Sequence, residues 1–150
     1  MLLSTLLVVV MSQAPARGKA PVLKGPEGAR TAFVQGDLAR ATEVARGCLR
    51  REPVVCRPLL KSLGQYAPLA KAVDRLTPPQ ARRFLDLDRA ISPGAPGALT
   101  GKAIERFVTS PLSLARHHAQ EGNTASARVI ARQVLDVDPG NTEALALAGP

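Results

Sequence analysis

Two segments of this chain repeat the same spacing of glycine, alanine and proline, and this repeat constrains the fold more than any other feature. In each segment a glycine is followed by alanine five and nine residues later and by proline seventeen residues later: Gly36, Ala41, Ala45 and Pro53, then Gly122, Ala127, Ala131 and Pro139. Glycine ends a helix in the left-handed conformation without steric cost, alanine lets two helices approach closely, and proline prevents a helix from continuing. Each segment is therefore predicted to form a hairpin of two helices.

The overall composition also favours an all-α fold. Aromatic residues make up only 3% of the chain and hydrophobic residues 45%, so the core is expected to consist of Ala, Leu and Val. Ala and Leu are strong helix formers, and no stretch alternates apolar and polar residues as a half-buried strand would. The scarcity of aromatic rings also argues against binding of single-stranded nucleic acid, which depends on stacking.

Apolar periodicity, caps and prolines set the expected helix boundaries. The first hairpin is expected over residues 28–53 and the last over residues 111–139. Further helices are predicted at residues 56–65 (with Pro58 in the first turn), 67–76, 78–90, 101–108 and 142–147. Thr77 and Gln80 match a capping box, and Thr100 and Thr124 are expected to cap the helices that follow them. The middle of the chain, roughly residues 57–107, is therefore expected to contain extra or irregular helices.

The first sixteen residues have the pattern of a signal peptide. Residues 2–11 form an apolar run too short for a permanent anchor, and Ala14 and Ala16 occupy the two small-residue positions of a cleavage site. Cleavage near Ala16 predicts a periplasmic or secreted protein without a permanent membrane anchor, with a linker at 17–27 and a domain at 28–150. The alternatives are an uncleaved anchor, a buried first helix or a cytoplasmic adaptor, because no Lys or Arg precedes the apolar run.

The two cysteines, Cys48 and Cys56, flank the turn expected at residues 50–53. In an oxidising compartment this spacing can close a disulfide between adjacent helix ends. The alternative is a pair of buried thiols that pack as small apolar side chains. A redox-active site is not expected, because the spacing is not Cys-x-x-Cys.

The repeated spacing resembles the tetratricopeptide repeat, a helix–turn–helix unit of about 34 residues. The resemblance covers about half of the chain after the signal peptide. It departs from the family where Ala32 and His118 replace an aromatic residue, and the two glycines are 86 residues apart. It implies helical hairpins stacked as a short solenoid with an irregular middle, whose concave groove binds a peptide or helix of another protein. The positions it assigns to that groove are Arg30, Phe33, Val34, Arg116, Ala119 and Gln120.

Two groups of polar residues are candidates for a metal or acid–base site. His117 and His118 are neighbours on a helix and point in different directions, so they cannot easily grip one metal ion. Asp86 and Asp88 are two residues apart and also diverge on a helix, so they are expected on a solvated face. No metal site is predicted.

A third candidate, residues 97–103, resembles a phosphate-binding loop. Pro96 stands where that loop has its first glycine, and Ala103 stands where it has a magnesium-binding hydroxyl. A capped helix start is the better interpretation of this segment. The sequence therefore predicts a protein without catalytic activity and without a cofactor.

Positive charge is concentrated in one half of the chain. Residues 17–89 contain 15 Lys or Arg and 7 Asp or Glu, whereas residues 90–150 contain 5 of each. The leading prediction is a scaffold or adaptor that binds another protein of an envelope, secretion or motility assembly. The alternative is a basic binder of anionic envelope polymer or lipid headgroups through residues 40–89. Nucleic acid is not expected as a partner, and the C-terminal helix offers an apolar stripe for self-association.

Overall fold

The computed structural model describes residues 22–149, and every regular element in that range is helical, as predicted. The predicted signal peptide and residues 17–21 of the predicted linker lie outside the described residues. The elements are α1 Gly25–Val34, α2 Leu38–Cys48, α3 Pro53–Lys71, a 3-10 turn Val73–Arg75, α4 Pro78–Ile91, α5 Thr100–Ile104, a π-helical turn Glu105–Thr109, α6 Ser110–Gln120, α7 Thr124–Val137 and α8 Thr142–Ala148. The first helix begins three residues before the predicted domain, because Pro26 suits a first helical turn.

The two repeated segments have the same local construction. Helix α1 packs on α2, and α6 packs on α7. Gly36 and Gly122 have φ angles of +84° and +79°, the left-handed conformation predicted for a glycine at a helix end. After each glycine, Asp37 or Asn123 donates its N–H to a carbonyl oxygen five residues earlier and caps the next helix with its side chain. The predicted capping role of Thr124 is therefore wrong, because Asn123 holds that position.

Small side chains allow the paired helices to pack closely. The four alanines of the repeat are each at most 2% exposed: Ala41, Ala45, Ala127 and Ala131. They lie in α2 and α7, the helices that pack on α1 and α6 within the two hairpins. The spacing of alanine in the sequence therefore predicted which residues face inward in both hairpins.

Helix α3 corrects the predicted boundaries. Separate helices at 56–65 and 67–76 were expected, but α3 runs unbroken through Pro58 and Pro68 and begins at Pro53. Its buried residues keep helical spacing along one face: Cys56, Leu59, Leu63, Tyr66 and Ala70. Burial of this continuous apolar face outweighs the two backbone hydrogen bonds that the internal prolines cannot donate.

The predicted break before residue 110 is also wrong. Helix α5, the π-helical turn and α6 follow one another without interruption from residue 100 to residue 120. Pro111 has no N–H, and the turn before it widens so that the N–H of Ser110 bonds the carbonyl oxygen of Glu105. The proline is thus accommodated within a helix instead of starting a new one.

An aromatic stack lies at the centre of the core, where the composition had led us to expect only Ala, Leu and Val. Tyr66 of α3 lies between Phe33 of α1 and Phe84 of α4, with ring centroids 4.9 Å and 4.5 Å apart. Each of the three residues is at most 2% exposed. The stack joins α1, α3 and α4, and α4 also packs on α7, which connects this core to the second hairpin.

The corner between α2 and α3 is closed by the two cysteines. Cys48 and Cys56 lie at disulfide bonding distance, with Cα atoms 6.0 Å apart, so the predicted pairing fits the structure. Both residues are buried. Among the described residues, no helix combines the length and the hydropathy required to cross a bilayer.

Candidate functional site

An open groove lies between α1 and the loop that follows α4. Its volume is about 510 Å³, and we name it the α1 groove. Its lining residues come from one side of α1 and from the start of the loop: Glu27, Arg30, Thr31, Val34, Gln35, Ser92, Pro93, Gly94 and Ala95. Two residues that the sequence assigned to partner binding, Arg30 and Val34, therefore line a groove in the structure.

Arg30 fixes one wall of the α1 groove. Its Nε donates a hydrogen bond of 3.1 Å to the carbonyl oxygen of Ile91, the last residue of α4, and its guanidinium forms an ion pair with Glu27. The side chain is 28% exposed. The guanidinium is thus already engaged within the chain, where it ties α1 to the end of α4.

Asp88 fixes the opposite wall. This residue of α4 is 3% exposed, and its Oδ1 accepts hydrogen bonds from the backbone N–H of Gly97 at 3.0 Å and from the hydroxyl of Thr100 at 2.6 Å. The expectation that Asp88 lies on a solvated face is wrong, because it shares the buried face of α4 with Phe84 and Ile91. Its helical spacing from those two apolar residues was the signal that could have revealed it.

Thr100 does not act as the predicted helix cap. It is the first residue of α5, its side chain makes no capping hydrogen bond, and its hydroxyl bonds Asp88 instead. Both ends of the segment from residue 92 to 100 are therefore attached to α4, one through the chain and the other through Asp88. This attachment gives the loop side of the groove a defined position.

Tyr66 lies next to the same carboxylate. Burial raises the pKa of Tyr66 above its ordinary value of 10.0, the negative charge of Asp88 raises it further, and a hydrogen bond with Thr100 lowers it. The three residues are each at most 3% exposed. This buried polar cluster holds the loop in position against α4.

Phe33 does not face the groove, and its burial contradicts the predicted role in partner binding. The residue is 1% exposed, and its ring lies against the loop. A Cβ atom on Gly97 would lie 2.8 Å from Phe33 Cζ and 2.7 Å from Asp88 Oδ1. The absence of a side chain at residue 97 therefore lets the loop rest on the aromatic stack.

Arg116 and Gln120, the other predicted partner-binding residues, lie on a separate surface. Arg116 of α6 donates from Nε and Nη2 to Oε1 of Glu143 in α8, at 2.9 Å and 2.6 Å, and Gln120 is exposed near the end of α6. Within the described range, α1 and α6 are not among the helix pairs in extensive contact. The structure therefore does not bring the two predicted groups together in one groove.

The outer face of α3 carries positive charge only. Arg57, Lys61 and Lys71 are exposed, and the helix contains no Asp or Glu. None of the three forms an ion pair with another described residue. Part of the basic charge in residues 40–89 therefore lies on one face of α3, where no carboxylate of the described residues pairs with it.

A larger groove, of about 1120 Å³, lies between residues 22–25 and α2. Its lining includes cations and anions, among them Lys24, Glu43, Arg50 and Glu52. Because the two signs of charge are mixed, this groove favours no single class of charged ligand.

The two histidines are not part of a cluster of three or more metal-binding side chains among the described residues. No group of three or more His, Cys, Asp or Glu within residues 22–149 could hold a metal ion. The rings of His117 and His118 are 6.3 Å apart, and His117 lies 3.3 Å from Glu121. The buried Nδ1 of His118 has no hydrogen-bond partner.

Comparison of the chain with protein-family models, with curated proteins and with solved structures found no match. The fold and the surfaces define the protein by class alone. Over residues 22–149 it is all-helical, with two hairpins of matching construction, an open groove anchored on both sides, and a positively charged helix face.

Proposed function

We propose that this chain is a non-catalytic interaction module, a degenerate tetratricopeptide-like repeat protein that holds a peptide or helix of a partner protein in the α1 groove. The observation that carries the proposal is that both walls of the groove are attached to α4, through Arg30 on one side and Asp88 on the other. A groove whose walls are already ordered binds a peptide without the entropic cost of ordering them.

The lining of the groove favours a weakly charged partner segment. Its two charged residues, Arg30 and Glu27, pair with each other. The remaining lining is aliphatic or neutral and polar, with Val34, Pro93 and the amide of Gln35 among its members. This lining matches a partner segment that has one or two apolar side chains and whose backbone N–H and C=O groups are free to form hydrogen bonds.

The repeat interpretation is supported by the matching turns of the two hairpins. Gly36 and Gly122 share a conformation, and each is followed by a residue that caps the next helix. In this proposal the hairpins are stacked units of one short solenoid with α3, α4 and α5 between them. The signal-peptide pattern of residues 1–16 supports a partner in an envelope, secretion or motility assembly.

A pull-down with matched variants tests the groove. Gln35 is exposed and lines it, so Gln35→Trp fills part of the groove without disturbing the core. Gln133 is exposed on α7 and provides the control Gln133→Trp. The full chain and both variants are used as bait in an envelope extract. Proteins captured by the unmodified chain and by Gln133→Trp, but lost with Gln35→Trp, support the proposal, and equal capture by all three contradicts it.

A second function is favoured by the uncompensated cations of α3. Arg57, Lys61 and Lys71 have no ion-pair partner among the described residues, which supports binding of an anionic surface through residues 40–89. Salt distinguishes the two functions. Binding through exposed cations weakens steeply as ionic strength rises, whereas binding in the α1 groove changes little.

A further inference from the structure

The α2–α3 corner, defined here as residues 46–61, concentrates positive charge. It contains one carboxylate, Glu52, and five cations, which gives a formal net charge of +4: Arg46, Arg50, Arg51, Arg57 and Lys61. All five cations are exposed. None of them forms an ion pair with another residue in the described part of the chain. Arg50 and Arg51 line the larger groove together with Glu43 and Glu52, whereas Arg57 and Lys61 lie on the face of α3 that carries positive charge only.

The same corner exposes large apolar side chains. Val54 is 85% exposed and Val55 is 39% exposed. Val54, Arg57 and Lys61 are spaced by three and four residues and so lie on one face of α3. A soluble polyanion needs only the cations, whereas the interfacial layer of a bilayer receives apolar side chains and cations together.

The side chains of the corner are displayed on a rigid support. Cys48 and Cys56 lie on its inner side, 4% and 0% exposed, at disulfide bonding distance. Cys56 is followed directly by Arg57 in a well-formed helix, so the position of this cation is set by α3 and not by a loop. A rigid surface loses less conformational entropy when it docks.

We propose that the α2–α3 corner docks on the surface of an anionic lipid bilayer, with its cations at the headgroup phosphates and Val54 in the interfacial layer. This inference rests on the second proposed function and names its partner and its contact surface. It is independent of the α1 groove. Each cation near an anionic membrane surface strengthens binding by about five-fold.

Cosedimentation of the full chain with lipid vesicles tests the proposal. One set of vesicles contains equal parts of phosphatidylglycerol and phosphatidylcholine, and the other contains phosphatidylcholine alone. Apolar residues 2–11 are the same in every variant, and the neutral vesicles measure their contribution. We expect binding to the anionic vesicles that falls with added salt.

Two pairs of matched variants locate the contact. Replacing Arg51 and Arg57 with Gln should weaken binding by about 25-fold, or about five-fold per cation. Replacing Arg82 and Arg83 on α4 with Gln removes the same charge elsewhere. Arg82 and Arg83 precede Phe84, whose ring stacks on Tyr66 of α3. Tyr66 lies nine residues after Arg57, so this control pair and Arg57 are separated by about 14 Å along the axis of α3.

The apolar side chain has its own test. Val54→Gln should weaken binding by about five-fold, which corresponds to burial of roughly half a valine side chain. Val129→Gln on α7, where the residue is 57% exposed, should leave binding unchanged. Competition with soluble poly-glutamate shows whether charge alone is sufficient.

Three results would overturn the proposal. Equal binding to neutral and anionic vesicles would exclude recognition of the lipid charge. Equal weakening by the two arginine pairs would assign the effect to net charge and not to the corner. If Val54→Gln binds normally while poly-glutamate competes fully, the partner is a soluble polyanion, so that the second proposed function survives while the bilayer contact fails.

Discussion

The hydroxyl of Thr100 donates a 2.6 Å hydrogen bond to the carboxylate of Asp88, and this contact joins α4 to the start of α5 across the loop that lines the α1 groove. The same carboxylate oxygen accepts the backbone N–H of Gly97. The Gly97 N–H and the Thr100 hydroxyl are therefore bonded to one buried side chain of α4. The position of the groove wall depends on Asp88, which is not among the residues that line the groove.

Removal of the Asp88 carboxylate should destabilise the fold. Asp88→Ala leaves the Thr100 hydroxyl and the Gly97 N–H buried without their acceptor, and we expect the free energy of unfolding to fall by about 3 kcal/mol. Urea denaturation followed by circular dichroism measures the change. Asp86→Ala is the control, because that carboxylate is 59% exposed beside Arg89, and its loss should change stability by no more than about 0.5 kcal/mol. Equal effects of the two variants would contradict the anchoring role of Asp88.

Gly97 should not tolerate a side chain. A Cβ atom at this position would lie 2.7 Å from Asp88 Oδ1 and 2.8 Å from Phe33 Cζ, and neither buried group is free to move. Gly97→Ala is expected to lower the free energy of unfolding by about 2 kcal/mol.

Gly94 provides the control within the same loop. No atom lies within 4 Å of a Cβ atom placed there, so Gly94→Ala should change stability by less than about 0.5 kcal/mol. Thermal unfolding of the two variants side by side measures the difference. A Gly97→Ala protein as stable as Gly94→Ala would mean that the loop does not rest on the aromatic stack.

The hairpins could be predicted from the sequence because their determinants are local. A left-handed glycine, a cap in the next position and small residues at helical spacing all act within one turn or one pair of helices, and Gly36 and Gly122 have the expected conformation. The boundaries in the middle of the chain could not be predicted in this way. Pro58 and Pro68 have the local preference of helix ends, but the tertiary burial of residues such as Leu63 and Tyr66 keeps α3 continuous.

The candidate site was predicted only in part, for a related reason. Arg30 and Val34, which the resemblance to the tetratricopeptide repeat assigned to partner binding, line a groove. The role of Phe33 in the core depends on Tyr66 and Phe84, which are distant in sequence. The loop wall depends likewise on Asp88, whose partners follow it by nine and twelve residues, and periodicity does not reveal such contacts.

The bond between Cys48 and Cys56 should stabilise the fold by restricting the unfolded chain. The cysteines are separated by eight residues, and closure of a loop of this length contributes about 2–3 kcal/mol. Replacing both with Ala should lower the free energy of unfolding by that amount. The unmodified chain in the presence of dithiothreitol is the matched comparison and should lose a similar amount. If the reductant has no effect while the double variant is destabilised, the two sulfurs act as packed thiols and not as a bond.

Tyr66 should remain protonated in the folded chain at a pH where an exposed tyrosine ionises. Its pKa is raised above 10.0 by burial and by the charge of Asp88. Above that pH the unfolded chain releases the proton while the folded chain retains it. The stabilisation by neutral Tyr66 is therefore fully present below the unfolded pKa and is lost as the pH rises towards the folded pKa.

An absorbance titration measures this directly, because Tyr66 is the only tyrosine in the sequence. The near-ultraviolet signal of tyrosinate should appear only together with the loss of helical circular dichroism at high pH. In concentrated urea the same titration should have its midpoint near the ordinary value of 10.0. Appearance of tyrosinate near that value while the helices remain intact would mean that the phenol reaches solvent, and that the polar cluster beneath the groove is not sealed.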